Sequence, residues 1–265
     1  MSATLASDSY GKCAVRLVKV VRDGARHHLH DLTVDVRVEG DFAAAHVAGD
    51  NSAVLPTDTM KNTVYALARQ HEVDPPEHFA ARVAARMIEA SAAATRVTVE
   101  IACHAWSRLS VAGRPHDTAF ERGSDEQRIA SIALARSETR AGAADHQARE
   151  AGVRDLVVLR TAGSAFAGFL RDQYTTLKET RDRIFATAVS ARWRYAGDFD
   201  KYNAAFTAIR SALLDTFATH PSESVQHTLH AMGESALAAC PAMTEIRLSL
   251  PNKHHLLVDL SPFGL

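Results

Sequence analysis

The chain has 265 residues, 46% hydrophobic and 23% charged, which excludes disorder over most of its length and allows one large domain or two modest ones. Lys and Arg total 30 against 31 Asp and Glu, so no positive surplus exists to drive sequence-independent nucleic-acid binding. The three cysteines, Cys13, Cys103 and Cys240, are an odd count without a CxxC pair, which reads as reduced thiols rather than a disulfide framework or a zinc ribbon.

The chain opens on MSATLASDSYGK, with neither the basic nor the apolar region of a secretory leader. Lys12 to Val21 is rich in β-branched residues, and Leu32, Val34, Val36 and Val38 alternate with Thr33, Asp35, Arg37 and Glu39. Two strands pairing as a hairpin around Asp23-Gly24 are predicted, the second with one apolar face. His28 and His30 share a strand face in the run His27-His28-Leu29-His30, but a metal there needs a third ligand that the sequence does not reveal. Helical spacing follows at Met60, Val64, Leu67 and Ala68 from Thr59 onward, and again at Phe79, Val83 and Met87 after Pro75-Pro76. Thr57 and Asp58 precede the first of these helices and are residue types favoured as N-caps. Val97, Val99, Ile101 and Cys103 form a strand, with Phe120 to Leu134 as its partner.

The second half repeats this order. Strands are predicted at Val153 to Leu159 and Ala186 to Tyr195, then a helix bearing Phe199, Tyr202, Phe206, Ile209 and Leu213. A second helix carries Val225, Leu229, Met232 and Ala236. Ile246, Leu248 and Leu250 alternate, as do Leu256, Val258 and Leu260, with His254 in phase with the latter set. The pattern is ββααββ twice, which makes the fold α+β rather than doubly wound. The Gly- and Ala-rich stretch from Ser137 to Gly152 separates the halves, placing a first unit at 1–140 and a second at 141–265. No run reaches the ~20 apolar residues of a membrane span, and the final SPFGL is not an SKL address, so a cytoplasmic protein is expected.

Three segments carry a resemblance: TDTMKNTVY (Thr57 to Tyr65), FLRDQYTTLKET (Phe169 to Thr180) and LPNKHH (Leu250 to His255), with Tyr10-Gly11-Lys12 and Ser224-Val225-Gln226 in the right order around them. Five ordered motifs over Tyr10 to Leu265 are specific where one would be weak. The chain resembles the urate oxidase family. That resemblance implies a tandem T-fold (tunnelling fold), two ββααββ units with helices on one face of antiparallel sheet, assembled as a homotetramer. It also implies oxidation of urate by O2 and water to 5-hydroxyisourate and hydrogen peroxide, with neither metal nor organic cofactor.

The residue roles follow from the same resemblance. Arg183 would hold the planar purine anion through its guanidinium fork, although by itself it reads as a surface ion-pair member. Gln226 would pair with the purine edge, against a plain reading as a solvated first-turn residue. Phe166 would stack on the purine plane, against a core Phe, and Leu177 and Val225 would complete the substrate site. Lys12, Thr57 and His254 would form a base–hydroxyl–imidazole relay, with Asn252 holding dioxygen or water above the ring. The plain reading of His254 is a satisfied core histidine on a strand. In the family, Thr57 and Asp58 reach the substrate from a neighbouring subunit.

Two further readings stand beside it. A zinc-dependent T-fold enzyme of pterin synthesis would need a coherent His/Cys set, and none is convincing. Urate oxidases generally continue past the PFG near the end of this chain, with a further strand and an apolar wall residue. The alternative is therefore a non-catalytic purine-binding or scaffolding oligomer with an open sheet edge.

Overall fold

The computed structural model describes residues 5–136 and 146–265. The chain begins with a hairpin in which β1 (Ser9–Asp23) pairs antiparallel with β2 (Arg26–Gly40). Gly24 turns it at a φ of +57°, a region that residues with a Cβ enter only under strain. On β2, Leu32, Val34, Val36 and Val38 are all buried. Each contributes roughly 1.5–3 kcal/mol by leaving water. A one-residue slip would bury Thr33, Asp35 and Arg37 instead, so the apolar face sets the register.

A short helix that the sequence pattern does not signal, α1 (Ala43–Ala48), precedes α2 (Thr57–Gln70) and α3 (Pro76–Ala90). The expectation that Thr57 and Asp58 cap α2 is corrected. Pro56 occupies the capping position with φ −57° and ψ 139°, no side chain caps the helix, and both residues lie in its first turn. An acidic group there complements the positive helix end without being the cap. Met60 and Val64 from α2, with Phe79, Val83 and Met87 from α3, fill the core over the first strands.

β3 (Ala94–His104) pairs with β2 on one side and β6 (Gln127–Ala135) on the other. The expected partner, Phe120 to Leu134, therefore starts too early. The intervening chain forms a separate hairpin of β4 (Ser107–Val111) and β5 (Arg114–Glu121). Its turn residues Ala112 and Gly113 have φ of 49° and 75°, the doubly positive geometry that matches strand twist.

The proposed division between residues 140 and 141 lies outside the described residues. The latter part of the stretch read as a linker is strand, because β7 (His146–Arg160) pairs with β6 from His146 to Arg154. β8 (Phe185–Tyr195) follows, then α4 (Tyr202–Thr219), α5 (Val225–Ala239) and β9 (Met243–Ser249). The result is a seven-stranded antiparallel sheet in the order β1-β2-β3-β6-β7-β8-β9, running continuously through both halves. Phe185, Val189 and Trp193 of β8 form a second core with Ile209, Leu213 and Met232 of α4 and α5.

The second unit is ββααβ among the described residues, not ββααββ. Leu256, Val258 and Leu260 do not form a strand; Leu256 and Leu257 are 85% and 100% exposed, and among the described residues no neighbouring strand pairs with them. His254 is therefore not a core histidine on a strand face.

The halves are joined by charge as well as by sheet. Glu77 of α3 is 1% exposed and accepts two hydrogen bonds from Arg128 Nη2 of β6, at 3.0 and 2.8 Å. Arg128 Nη1 donates to Asn203 Oδ1 on α4 at 2.6 Å, and its guanidinium lies 4.7 Å over the Phe206 ring. Burial raises the Glu77 carboxyl above its ordinary range, with Arg128 opposing the shift.

Candidate active site

One corner of the sheet gathers Lys12, Thr57 and Asp58. Gly11 lets β1 and β2 approach closely: a Cβ there would lie 2.0 Å from the Val36 carbonyl oxygen. Just after it, the pairing shifts between Lys12 and Val15, with Ala14 at φ 56° and its N–H donating to Asp35 Oδ1 at 2.6 Å. This bulge interrupts the ladder and sets the direction of half-buried Lys12. Tyr10 anchors the chain that enters α2, since Leu55 N donates to its hydroxyl at 2.9 Å. Asp58 is exposed, and its carboxyl is held below the ordinary range first by Lys61, then by Asn62 and Lys12. Lys12 and the first turn of α2 thus share one neighbourhood.

The far corner holds a cavity of about 1110 Å³ lined by Phe166, Leu177, Arg183, Val225, Gln226, Asn252 and His254. Three walls build it. The first is the long loop between β7 and β8. Phe166 and Thr180 exchange backbone hydrogen bonds at 2.8 and 3.0 Å, and Arg183 N donates to Ser164 O at 2.9 Å. The Arg183 guanidinium consequently sits 5.4 Å from the Phe166 ring centroid. Among the described residues no carboxylate lies within ion-pair distance of Arg183, so the surface ion-pair reading is not what the fold builds. Phe169 stacks on Phe166 at 5.0 Å and 10° without lining the cavity, which leaves Phe166 a platform with a backed face.

The second wall is the start of α5. Ser224 caps it by accepting from His227 N at 3.1 Å, which places Val225 and Gln226 in the first turn. Ala165 N donates to Ser222 O at 2.7 Å and stitches this wall to the loop. The third wall follows β9. Lys253 N donates to Ala186 O at 2.7 Å, and the Thr187 hydroxyl donates to Pro251 O at 3.0 Å. This sets Asn252 beside His254, their Nδ2 and Nδ1 atoms 3.1 Å apart. Sequence reasoning missed Thr187. Its signal was a hydroxyl in phase with the buried positions of β8, where a polar group needs a partner.

Lys12, Thr57 and Asp58 do not line this cavity. The register explains why. From Ser9 at the start of β1, the pairing runs through Glu39, Arg96 and Ala135 to His146 at the start of β7. β8 begins at Phe185 opposite Arg160, the other end of β7. The two groups therefore occupy diagonally opposed corners, five strand spacings or about 24 Å apart across the sheet alone.

A family model described as Uricase matches residues 8–133 and 149–264. The chain is 45% identical to the Uricase of Arthrobacter globiformis over 98% of its own length and 82% of the relative's, and 37% identical to that of Aspergillus flavus over 98% and 87%. The crystal structure of the Arthrobacter globiformis uricase superposes with a TM-score of 0.92 at 43% identity, covering all of this chain and 88% of that one. A uricase from Bacillus fastidious, at 21% identity and a TM-score of 0.79, shares the fold. With the family model covering nearly the whole chain and relatives of 37–45% identity matched along 98% of it, the chain belongs to the uricase family.

Proposed function

We propose that the chain oxidises urate with O2 and water to 5-hydroxyisourate and hydrogen peroxide, in sites assembled from the opposed corners of two copies. One observation carries this reading: seven residues scattered from Phe166 to His254, all named by the family resemblance, surround a single cavity. The non-catalytic scaffold has no comparable support.

Arg183 and Gln226 grip the edge of the purine anion, and the Phe166 ring stacks on its plane, a contact worth about 1–3 kcal/mol. Leu177 and Val225 close the apolar sides. Lys12 of a second copy takes a proton through the Thr57 hydroxyl, and His254 beside Asn252 carries it onward. Two electrons pass from the urate anion to dioxygen, which leaves as peroxide, and water adds to the oxidised ring. The chemistry is cofactor-free, as the family resemblance implies, with O2 as co-substrate.

The diagonal corners support the shared site. A two-fold axis brings the Lys12 corner of each copy onto the cavity of the other and creates two sites at once. Further pairing of such dimers gives the homotetramer. No described helix is long and apolar enough to cross a membrane. Cys13, Cys103 and Cys240 are all free, which suits the reducing cytoplasm.

The test is oxygen uptake and peroxide release when urate is added to chelator-treated protein, with the oligomeric mass measured in the same solution. Turnover by a tetramer is the expected result. A tetramer that binds urate but consumes no oxygen would overturn the reading in favour of a scaffold.

A further inference from the structure

We infer that Arg160, which does not line the cavity, is a positioning residue that sets the spacing between the Phe166–Arg183 wall and the Gln226 wall; this rests on the function proposed above. Arg160 ends β7, and its guanidinium donates to three backbone carbonyls in two separate segments. Nη1 reaches Phe217 O at 3.1 Å and His220 O at 2.6 Å, and Nη2 reaches Gly163 O at 2.9 Å. Its charge also lies 5.7 and 5.8 Å from the Phe185 and Phe217 rings.

Each carbonyl leads directly to a cavity wall. Gly163 begins the loop that carries Phe166, and the next residue, Ser164, holds the backbone of Arg183. Phe217 and His220 close α4, and the chain passes from there through Ser222 to the Ser224 cap and Gln226. Among the described residues no carboxylate pairs with Arg160, so its hydrogen-bonded donors serve backbone oxygens rather than a counter-ion. A planar fork spans such an arrangement at fixed spacing, whereas a lysine ammonium offers a single flexible point. A purine held by Arg183 on one side and Gln226 on the other senses that spacing directly.

The experiment compares wild type with Arg160→Met and Arg160→Lys as assembled protein, alone and with Gln226→Ala. Expected are rises of about tenfold in the KM for urate and in the Kd for xanthine, a planar purine lacking the 8-oxo group, with kcat changed less. Lysine should restore only part of the loss. With Gln226→Ala already present, Arg160→Met should add less than about threefold, because the wall it positions no longer grips the ligand. Amide hydrogen exchange provides a substrate-independent measure and should quicken in both 163–166 and 222–226.

Unchanged KM and Kd with a lowered Tm would make Arg160 merely structural and overturn the inference, as would exchange that quickens in one segment only. If both segments loosen while wild type neither binds xanthine nor oxidises urate, the functional reading fails and the mechanical coupling stands.

Discussion

Mixing two inactive variants tests the shared site most directly. Lys12→Met removes the base from one corner, and Arg183→Ala removes the anion clamp from the other. In a two-fold dimer built as proposed, each site takes Lys12 from one copy and Arg183 from its mate. Dimers of either variant alone hold one lesion in every site. A mixed dimer holds both lesions in one site and none in the other. With equal, random assembly half of the dimers are mixed and half of their sites are intact, so about a quarter of wild-type activity returns. Loss of a general base typically costs 10²–10⁴-fold, and Arg183→Ala, assayed at urate well below its weakened Kd, loses about a hundredfold, so the background is about 1% and the rescue stands well clear of it. The assay is oxygen uptake by co-expressed, differently tagged chains purified through both tags in sequence, a step that selects mixed assemblies and raises the expected return in mixed dimers from about a quarter to about half of wild-type activity. A control pairing Lys12→Met with the double variant should show no rescue. Mixed assemblies no more active than the mean of the two parents would refute the diagonal pairing.

Other outcomes follow from single changes. Arg183→Ala should weaken urate binding about a hundredfold by loss of charge-assisted hydrogen bonds, read by equilibrium titration; Arg183→Lys should recover little, because the fork is lost. Lys12→Met should leave urate affinity within about threefold of wild type while turnover collapses, read by comparing titration with oxygen uptake. Phe79→Ala, on the buried face of α3, should lower stability by about 3–5 kcal/mol in denaturant unfolding, with little effect on the KM of the folded enzyme. Because burial raises the Glu77 carboxyl, the folded state binds its proton more tightly than the unfolded state. The contribution is present at low pH and is lost as pH rises from the ordinary glutamate value of 4.5 through the raised one. The stability of wild type relative to Glu77→Gln should therefore fall over that interval, and a rise would show that Arg128 outweighs burial.

The legible parts of the fold were those with strong periodicity. Leu32 to Val38 read as a one-sided strand because every second residue is buried, and Val97 to Ile101 did so for the same reason. The hairpin β4–β5 escaped notice because its Ala112-Gly113 turn lacks Asn-Gly or Asp-Gly chemistry and its strands pack lightly, Val111 being 55% exposed. Leu256 to Leu260 misled for the opposite reason: alternation predicts a strand only where a neighbour supplies hydrogen bonds. At the site, the family resemblance rather than residue type pointed to Arg183, Gln226 and Asn252, and their convergence depends on loop-to-loop hydrogen bonds such as Arg183 N to Ser164 O, which periodicity does not encode. Arg160 was invisible for a related reason. Its partners are main-chain oxygens, and any sequence supplies those.

The separation of Lys12 from Arg183 also bears on when the chain can act. If the site is shared as proposed, a newly made or dissociated copy should carry half of the machinery at each of two distant corners and form no peroxide on its own. Oxidation becomes a property of concentration: on dilution below the dimer's dissociation constant, activity per chain should fall in proportion to chain concentration rather than hold constant. On the proposed shared site, assembly would then serve as a safety catch, releasing a damaging product only where enough finished subunits have met.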